Sequence, residues 1–147
     1  GRRINDSMGS YIATSLVKQM ILQNITIQGS CVTILGVTFK ENVPDIRNSK
    51  VIDIVRELKE YGIDVQLNDP LASSVQIKDE YGLELKDLKE LALADAVILA
   101  VPHREYVEKG WKLIVPLLKK NQKSVVVDVK SVLTREDCPE WIKLWRL

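Results

Sequence analysis

Apolar residues along the chain change their period several times, and each change marks an element. Over residues 4–24, Ile4, Met8, Ile12, Leu16, Val17, Met20 and Ile21 recur at steps of three and four, the period of an amphipathic helix. Its broad apolar face needs a partner, either a region outside this chain or a second subunit, and Gly29 marks the turn out of it. Cys31–Val37 (CVTILGV) is short, apolar and rich in β-branched residues, which predicts a buried strand. Val51, Ile54, Val55 and Leu58 predict a helix over 49–61, with Asn48 or Ser49 as N-cap and Gly62 as the stop. Ile63, Val65 and Leu67 alternate with polar neighbours, a second strand ending at Asp69-Pro70. Helices are expected around 72–81 and near 86–92. Ala96–Val101 (AVILAV) is apolar throughout, as a central parallel strand should be. A helical region over 104–120, interrupted or capped by Pro116, leads to a further buried strand at Ser124–Val129. In the tail, 134–147, Trp141 and Trp145 lie four apart, which predicts one face of a helical turn docked on the sheet edge.

This alternation implies an α/β, Rossmann-like three-layer domain. A mostly parallel sheet is covered by helices on both faces, with right-handed crossovers and an N-terminal helix in front. The 147 residues suit one such domain, without internal repeats or low-complexity segments. The chain opens on Gly1 and enters a helical pattern within a few residues, which points to a longer natural protein.

Composition acts mainly by exclusion. With 46% apolar and 28% charged residues, the chain is too hydrophobic to be disordered. A net charge of +1 gives no reason to expect a nucleic-acid partner. Two cysteines are too few for a disulfide framework, which is compatible with a reducing cytoplasm, the expected location. Cys31 reads as a small buried hydrophobe, and Cys138 has no histidine or second cysteine at metal-ligand spacing, so no metal is expected. No run reaches the roughly 18 apolar residues of a membrane span, and no signal peptide is seen, so no membrane partner is expected either.

In open parallel sheets ligands bind at the carboxyl ends of strands, which singles out the loops 38–48, 68–72, 102–105 and 130–134. The first is unusual. A dinucleotide-binding turn carries G-x-G-x-x-G, whereas only Gly36 stands here, followed by a connection longer than the usual loop of about two to six residues. Such a domain is not expected to wrap a whole NAD by itself. Within the loop, Lys40 offers a mobile point charge for a phosphate or sugar hydroxyl, and Arg47 a planar fork suited to pyrophosphate. Asp45 stands where it would hold that guanidinium; the plainer reading is a surface loop stiffened by Pro44 with an ordinary Asp–Arg pair. His103, the only histidine, follows a central strand, and its role is open between ligand contact and structure. Asp69 ends the second strand, where a ribose-binding acid sits in true dinucleotide folds, and Lys130 points at the same edge. No Ser/His/Asp set or Cys–His pair emerges, so spacing alone gives an α/β domain with a basic, ligand-facing loop.

The segment Gly36-Val37-Thr38-Phe39-Lys40-Glu41-Asn42-Val43-Pro44-Asp45-Ile46-Arg47-Asn48-Ser49 closely resembles G-x-x-F-K-x-x-x-x-D-x-R-x-S of the UDP-glucose/GDP-mannose dehydrogenase family. Its form is similar to the branch oxidising UDP-N-acetylhexosamines for bacterial surface polysaccharides, the Vi-antigen type included. The resemblance extends to Gly1–Met8, Asn68-Asp69-Pro70, Ala100-Val101-Pro102-His103 and Val127-Asp128-Val129-Lys130. It implies an enzyme of three parts: an N-terminal NAD-binding domain, a central dimerisation helix and a C-terminal UDP-sugar-binding domain. Residues 1–28 would be the end of that helix and 29–147 the C-terminal domain, with a homodimer formed through the helix.

The implied reaction oxidises the sugar C6 alcohol to a carboxylate in two hydride transfers, using two NAD and a cysteine thiohemiacetal. The catalytic cysteine belongs to a G-C-F-P-K-D-like segment that this chain does not contain. Neither Cys31 nor Cys138 inherits the role, so no catalytic residue is assigned and the chain alone is expected to be inactive. By the same resemblance Phe39 and Lys40 reach the UDP-sugar, Arg47 reaches NAD bound on the other domain, and Lys130 stands where some relatives carry a sugar-contacting arginine. Arg2 or Arg3 corresponds to an arginine supplied across the dimer, with Arg3 taken as the candidate. UDP-glucose or GDP-mannose is the competing substrate, and a stand-alone, non-catalytic nucleotide-binding module is the competing class.

Overall fold

A computed structural model describes the backbone from Arg2 to Leu147 and the side chains from Met8 onward. The first helix, α1 (Arg2–Leu22), precedes β1 (Cys31–Leu35), α2 (Val51–Glu60), β2 (Asp64–Asn68), α3 (Ser74–Tyr81) and β3 (Ala96–Leu99). Then follow α4 (Arg104–Lys109), α5 (Trp111–Ile114), β4 (Ser124–Asp128) and β5 (Ile142–Arg146). All five strands are parallel, in the order β2-β1-β3-β4-β5. Every strand after β1 is reached by a crossover, and the three central strands β1, β3 and β4 are buried on both faces along their whole length.

The sheet separates two cores. Val32, Ile34, Ala96, Ile98, Val125 and Val127 face α1 and α2, where Leu16, Met20, Ile54 and Leu58 are buried. Leu35, Val97, Leu99 and Val126 face the opposite layer of Tyr106, Leu113, Ile114 and Leu117. The three-layer expectation therefore holds. The apolar face of α1 finds its partner inside the chain, since Ile12, Ala13, Leu16, Val17 and Met20 join the first core. Gly9 lets α1 cross α2 closely, because a Cβ there would meet the Asp53 Cβ at 2.7 Å. Met8, Tyr11, Ile21 and Leu22 remain outside that contact as exposed large apolar side chains.

Two local expectations fail and two others are adjusted in detail. The tail is a strand, not a helical turn: Ile142 and Leu144 are buried while Lys143 is exposed, and the strand pairs with β4 from Ser124↔Ile142 to Asp128↔Arg146. The period of two outweighs the i, i+4 tryptophans. Trp145 instead meets Tyr11 of α1, ring centroids 5.9 Å apart. Over 86–92 only one 3₁₀ turn forms, Leu88–Glu90. The 104–120 region breaks at Gly110, whose φ of 53° is left-handed, and Pro116 sits inside a short 3₁₀ turn. The start of α2 also shifts: Lys50 occupies the N-cap position, although the Ser49 hydroxyl still accepts the Val51 N–H at 3.3 Å.

Candidate functional site

Leu35 pairs with both Asn68 and Leu99, Leu99 with Asp128, and Asp128 with Arg146, so the strands end level at one carboxyl edge. The strand order reverses direction between β1 and β3. In a doubly wound sheet of this order, that switch point opens the crevice where ligands bind. The two loops leaving it are the 38–48 connection and Ala100–His103.

Gly36 sits at the mouth of the switch point with φ 95°, and a Cβ there would fall 2.6 Å from Val101 Cβ and 2.8 Å from its carbonyl oxygen. Only glycine lets the chain turn off β1 this close to the end of β3. The glycine is thus consumed by strand packing. This is the physical counterpart of the missing dinucleotide fingerprint.

Immediately beyond lies a buried polar cluster. Asp69 Oδ2 accepts the Val37 N–H at 2.7 Å and the His103 Nε2–H at 2.9 Å, while Oδ1 accepts the Leu71 and Ala72 N–H groups at 2.8 and 2.9 Å. On the far side of the ring, His103 Nδ1 accepts the Asn42 N–H at 3.0 Å. A backbone amide is an obligate donor, so Nδ1 is the acceptor and the ring proton sits on Nε2. Thr38 Oγ1 lies 3.1 Å from Nε2 and donates to the Lys40 carbonyl at 2.9 Å. Asn42, at φ 62°, accepts the Arg104 N–H on its Oδ1 at 2.8 Å and ties the loop to the start of α4. Burial pushes the Asp69 carboxyl up, but the hydrogen bonds from His103, Val37 and Leu71 outweigh it and hold the group below the ordinary carboxylate range. Both side chains of the pair are fully shielded from solvent. The His103 and Asp69 side chains therefore point inward and fasten the loop to β2 and β3.

What the loop shows to solvent is different. Phe39 is 55% exposed, an unusual state for an aromatic ring in a folded domain, and Lys40 beside it is exposed as well. Arg47 is held as a fork, its Nε and Nη2 donating to Asp45 Oδ1 and Oδ2 at 3.0 and 3.1 Å. That bond holds the Asp45 carboxyl below its usual range. The guanidinium is 81% exposed at the edge of a cavity of about 800 Å³ between this loop and α3. Such an exposed pair adds little stability and mainly orients the arginine. The loop is braced from below by the Phe39 N–H donating to the Asp45 carbonyl at 2.7 Å and the Tyr81 hydroxyl to the Ile46 carbonyl at 2.6 Å.

Lys130 is also exposed at this edge, on a turn closed by the buried Asp128 carboxylate, which accepts the Val132 and Leu133 N–H groups at 3.1 and 2.7 Å. The fold thus sets Phe39, Lys40, Arg47 and Lys130 on loops along one edge. The Arg3 side chain lies outside the described residues. Cys31 is buried and Cys138 half-buried, both are free thiols, and burial is the main cause raising each thiol's pKa, so neither is an activated nucleophile. Among the described residues there is no cluster of three or more metal-ligating side chains and no helix long and apolar enough to cross a membrane.

Residues 33–135 match the pattern of the "UDP-glucose/GDP-mannose dehydrogenase family, UDP binding domain". Over all 147 residues the chain is 45% identical to "Protein CapL" of Staphylococcus aureus, covering 34% of that protein. Over 136 residues, 92% of the chain, it is 42% identical to a "UDP-N-acetyl-D-glucosamine 6-dehydrogenase" of Salmonella typhi, covering 32% of it. The chain thus spans about a third of the length of these curated relatives. Among solved structures, an "NDP-N-acetyl-D-galactosaminuronic acid dehydrogenase" from Methanosarcina mazei Go1 superimposes with a TM-score of 0.85 over 99% of this chain and 30% of its own. At 20% identity, that likeness speaks for the fold.

Proposed function

Because the chain belongs to the UDP-glucose/GDP-mannose dehydrogenase family, we propose that it is the substrate-binding third of an NAD-dependent UDP-N-acetylhexosamine 6-dehydrogenase serving surface polysaccharide synthesis. The observation that carries this reading is the loop 38–48, with its Phe-Lys and Asp-x-Arg groups displayed at the switch point. The printed names of the relatives favour an N-acetylated hexosamine. Residues 29–147 form the UDP-sugar-binding domain. Residues 1–28 end a central helix through which the whole protein forms a homodimer, a role favoured by the outward Met8, Tyr11, Ile21 and Leu22. The enzyme works in the cytoplasm, in keeping with two unpaired thiols.

In this reading Lys40 neutralises charge on the diphosphate or hydrogen-bonds a sugar hydroxyl, and Phe39 covers the ligand with its ring. Lys130 approaches the sugar from the next loop, and Arg3 does so from the partner subunit. Arg47 faces the other domain, where its exposed fork fits a cofactor phosphate. NAD supplies the hydride acceptor. Gly36 is packed against Val101 and leaves no glycine cradle here for a pyrophosphate, so NAD is held mainly by the other domain. The site is a cleft between domains, each furnishing part of it.

The full-length enzyme should reduce NAD with a UDP-N-acetylhexosamine better than with UDP-glucose or GDP-mannose, and the 147-residue chain alone should turn over none of them. A preference for UDP-glucose or GDP-mannose would overturn the substrate assignment. Turnover by the chain alone would overturn its role as the non-catalytic third.

A further inference from the structure

We propose that His103 is a positioning residue that sets the conformation in which the 38–48 loop offers Phe39 and Lys40 to the ligand. The inference rests on the reading of that loop as the UDP-sugar contact. Its basis is the two-sided use of the imidazole. Nε2–H donates toward Asp69, whose other acceptor bonds fix the ends of β1 and β2, while Nδ1 takes the N–H of Asn42, inside the loop. Phe39, Lys40 and Glu41 are therefore spanned by two points that meet one ring, Thr38, whose Oγ1 lies 3.1 Å from Nε2, and Asn42, bonded to Nδ1.

The other bonds on those three residues, Phe39 N–H to the Asp45 carbonyl and Thr38 Oγ1 to the Lys40 carbonyl, lie within the loop itself and do not tie it to β2 or β3. Phe39 and Lys40 are exposed, and only the Phe39 N–H and the Lys40 carbonyl have partners of their own. Asn42 adopts φ 62°, a left-handed conformation that asparagine takes readily, with its N–H bonded to His103 and its side chain to the Arg104 N–H. A ring with an acceptor on one side and a donor on the other, fixed by packing against Tyr106 at 5.7 Å, meets both demands in one residue. A glutamine reaches the Nε2 position with an amide donor but leaves the Asn42 N–H unpaired; an asparagine does the reverse.

The test uses this chain and UDP as the probe, with amide hydrogen exchange alongside. His103→Gln should stay folded, lose exchange protection at the Asn42 amide and bind UDP about tenfold more weakly, the cost of one unmade buried hydrogen bond. His103→Asn should keep the Asn42 protection and stay within about threefold of wild-type affinity despite its lost bond to Asp69. A merely structural role predicts instead that both variants lose thermal stability and UDP affinity together, or that His103→Gln binds UDP as wild type; either result overturns the proposal. Should His103→Gln fail to fold, His103→Asn alone still decides: an affinity for UDP lowered well beyond threefold while the Asn42 amide stays protected overturns the proposal. If the unaltered chain shows no UDP binding, the UDP reading of the loop itself falls; binding by wild type with no effect of these variants removes only the positioning role.

Discussion

Both ends of the sheet are closed around a buried aspartate, yet only one end displays groups that suit a ligand. At the amino edge Asp95 accepts the Cys31 N–H, the Lys119 ammonium and the Gln122 amide at 2.9, 3.1 and 3.0 Å. At the carboxyl edge Asp69 accepts three backbone N–H groups and His103. In both, burial raises the carboxyl's pKa and the donors more than reverse it. The physics is the same, so a buried, satisfied carboxylate is not itself a mark of function. What separates the edges is the chain around them. Asp95 fastens tight connections, whereas Asp69 fastens a long loop whose side chains stand in solvent. A cavity of about 340 Å³ beside Asp95 is lined by Asp95, Lys119 and Gln122 of this network and by the connection from α1 to β1.

Perturbing each edge should break or sharpen this contrast. The largest effect belongs to Gly36→Ala at the carboxyl edge. Combining φ 95° with a Cβ 2.6 Å from Val101, it should cost about 3–4 kcal/mol, read from the urea midpoint. Asp69→Asn and Asp95→Asn should each cost about 2–3 kcal/mol, because an amide NH₂ then confronts donors in a buried site. Their stabilities should fall together, but only Asp69→Asn should weaken UDP binding; equal loss of binding at both edges would erase the distinction.

Acid should act on both edges alike. Each aspartate has a folded-state pKa below its unfolded value, so the stability it lends is fully present above about pH 4 and is lost as pH falls through the lower folded value. Urea midpoints measured downward from neutrality should decline in wild type, and each Asp→Asn variant should remove part of that slope. A variant retaining the full slope would show that its aspartate is not one of the titrating groups.

Smaller effects on stability, though not on function, are expected on the displayed face. Lys40→Ala and Arg47→Ala should leave the fold within about 0.5 kcal/mol, as exposed residues do. In the full-length enzyme, Lys40→Ala should raise KM for the UDP-sugar about tenfold and Arg47→Ala the KM for NAD about tenfold, each the value of one charge-assisted contact. Unchanged kinetics in both would remove the site assignment. Asp45→Asn, which loosens the fork on Arg47, should change NAD use less than Arg47→Ala does and leave the thermal midpoint unmoved.

Much of this architecture was legible in the chain because it is written in local periods. Three of the five strands appear as apolar runs and a fourth as an alternation, and the parallel sheet follows from their succession with helices. The fifth was hidden because Ile142–Arg146 is only half-buried, and two tryptophans at helical spacing masked its alternation. The long loop was visible as an anomaly of length, charge and missing glycines. Its fastening was not visible, because Asn42 meets His103 across 61 residues and Asp69 meets it across 34. The one available signal was that Asn-Asp-Pro and Val-Pro-His each follow a strand, placing an acid and a histidine at the same edge. The notion of His103 as a ligand contact gives way to a buried fastening, since the side chain has no solvent exposure.

The central claim is that the 38–48 loop at the carboxyl edge receives the nucleotide, and it can be read directly by titrating UDP into the isotopically labelled 147-residue chain. Saturable shifts are expected in the backbone amides of residues 37–43 and 45–47 and of the turn at Lys130, with silence around Asp95 and Gln122 and an approximately tenfold weaker response in Lys40→Ala. Shifts centred on the amino edge, or no shifts in the loop at UDP concentrations that saturate the full-length enzyme, would contradict it.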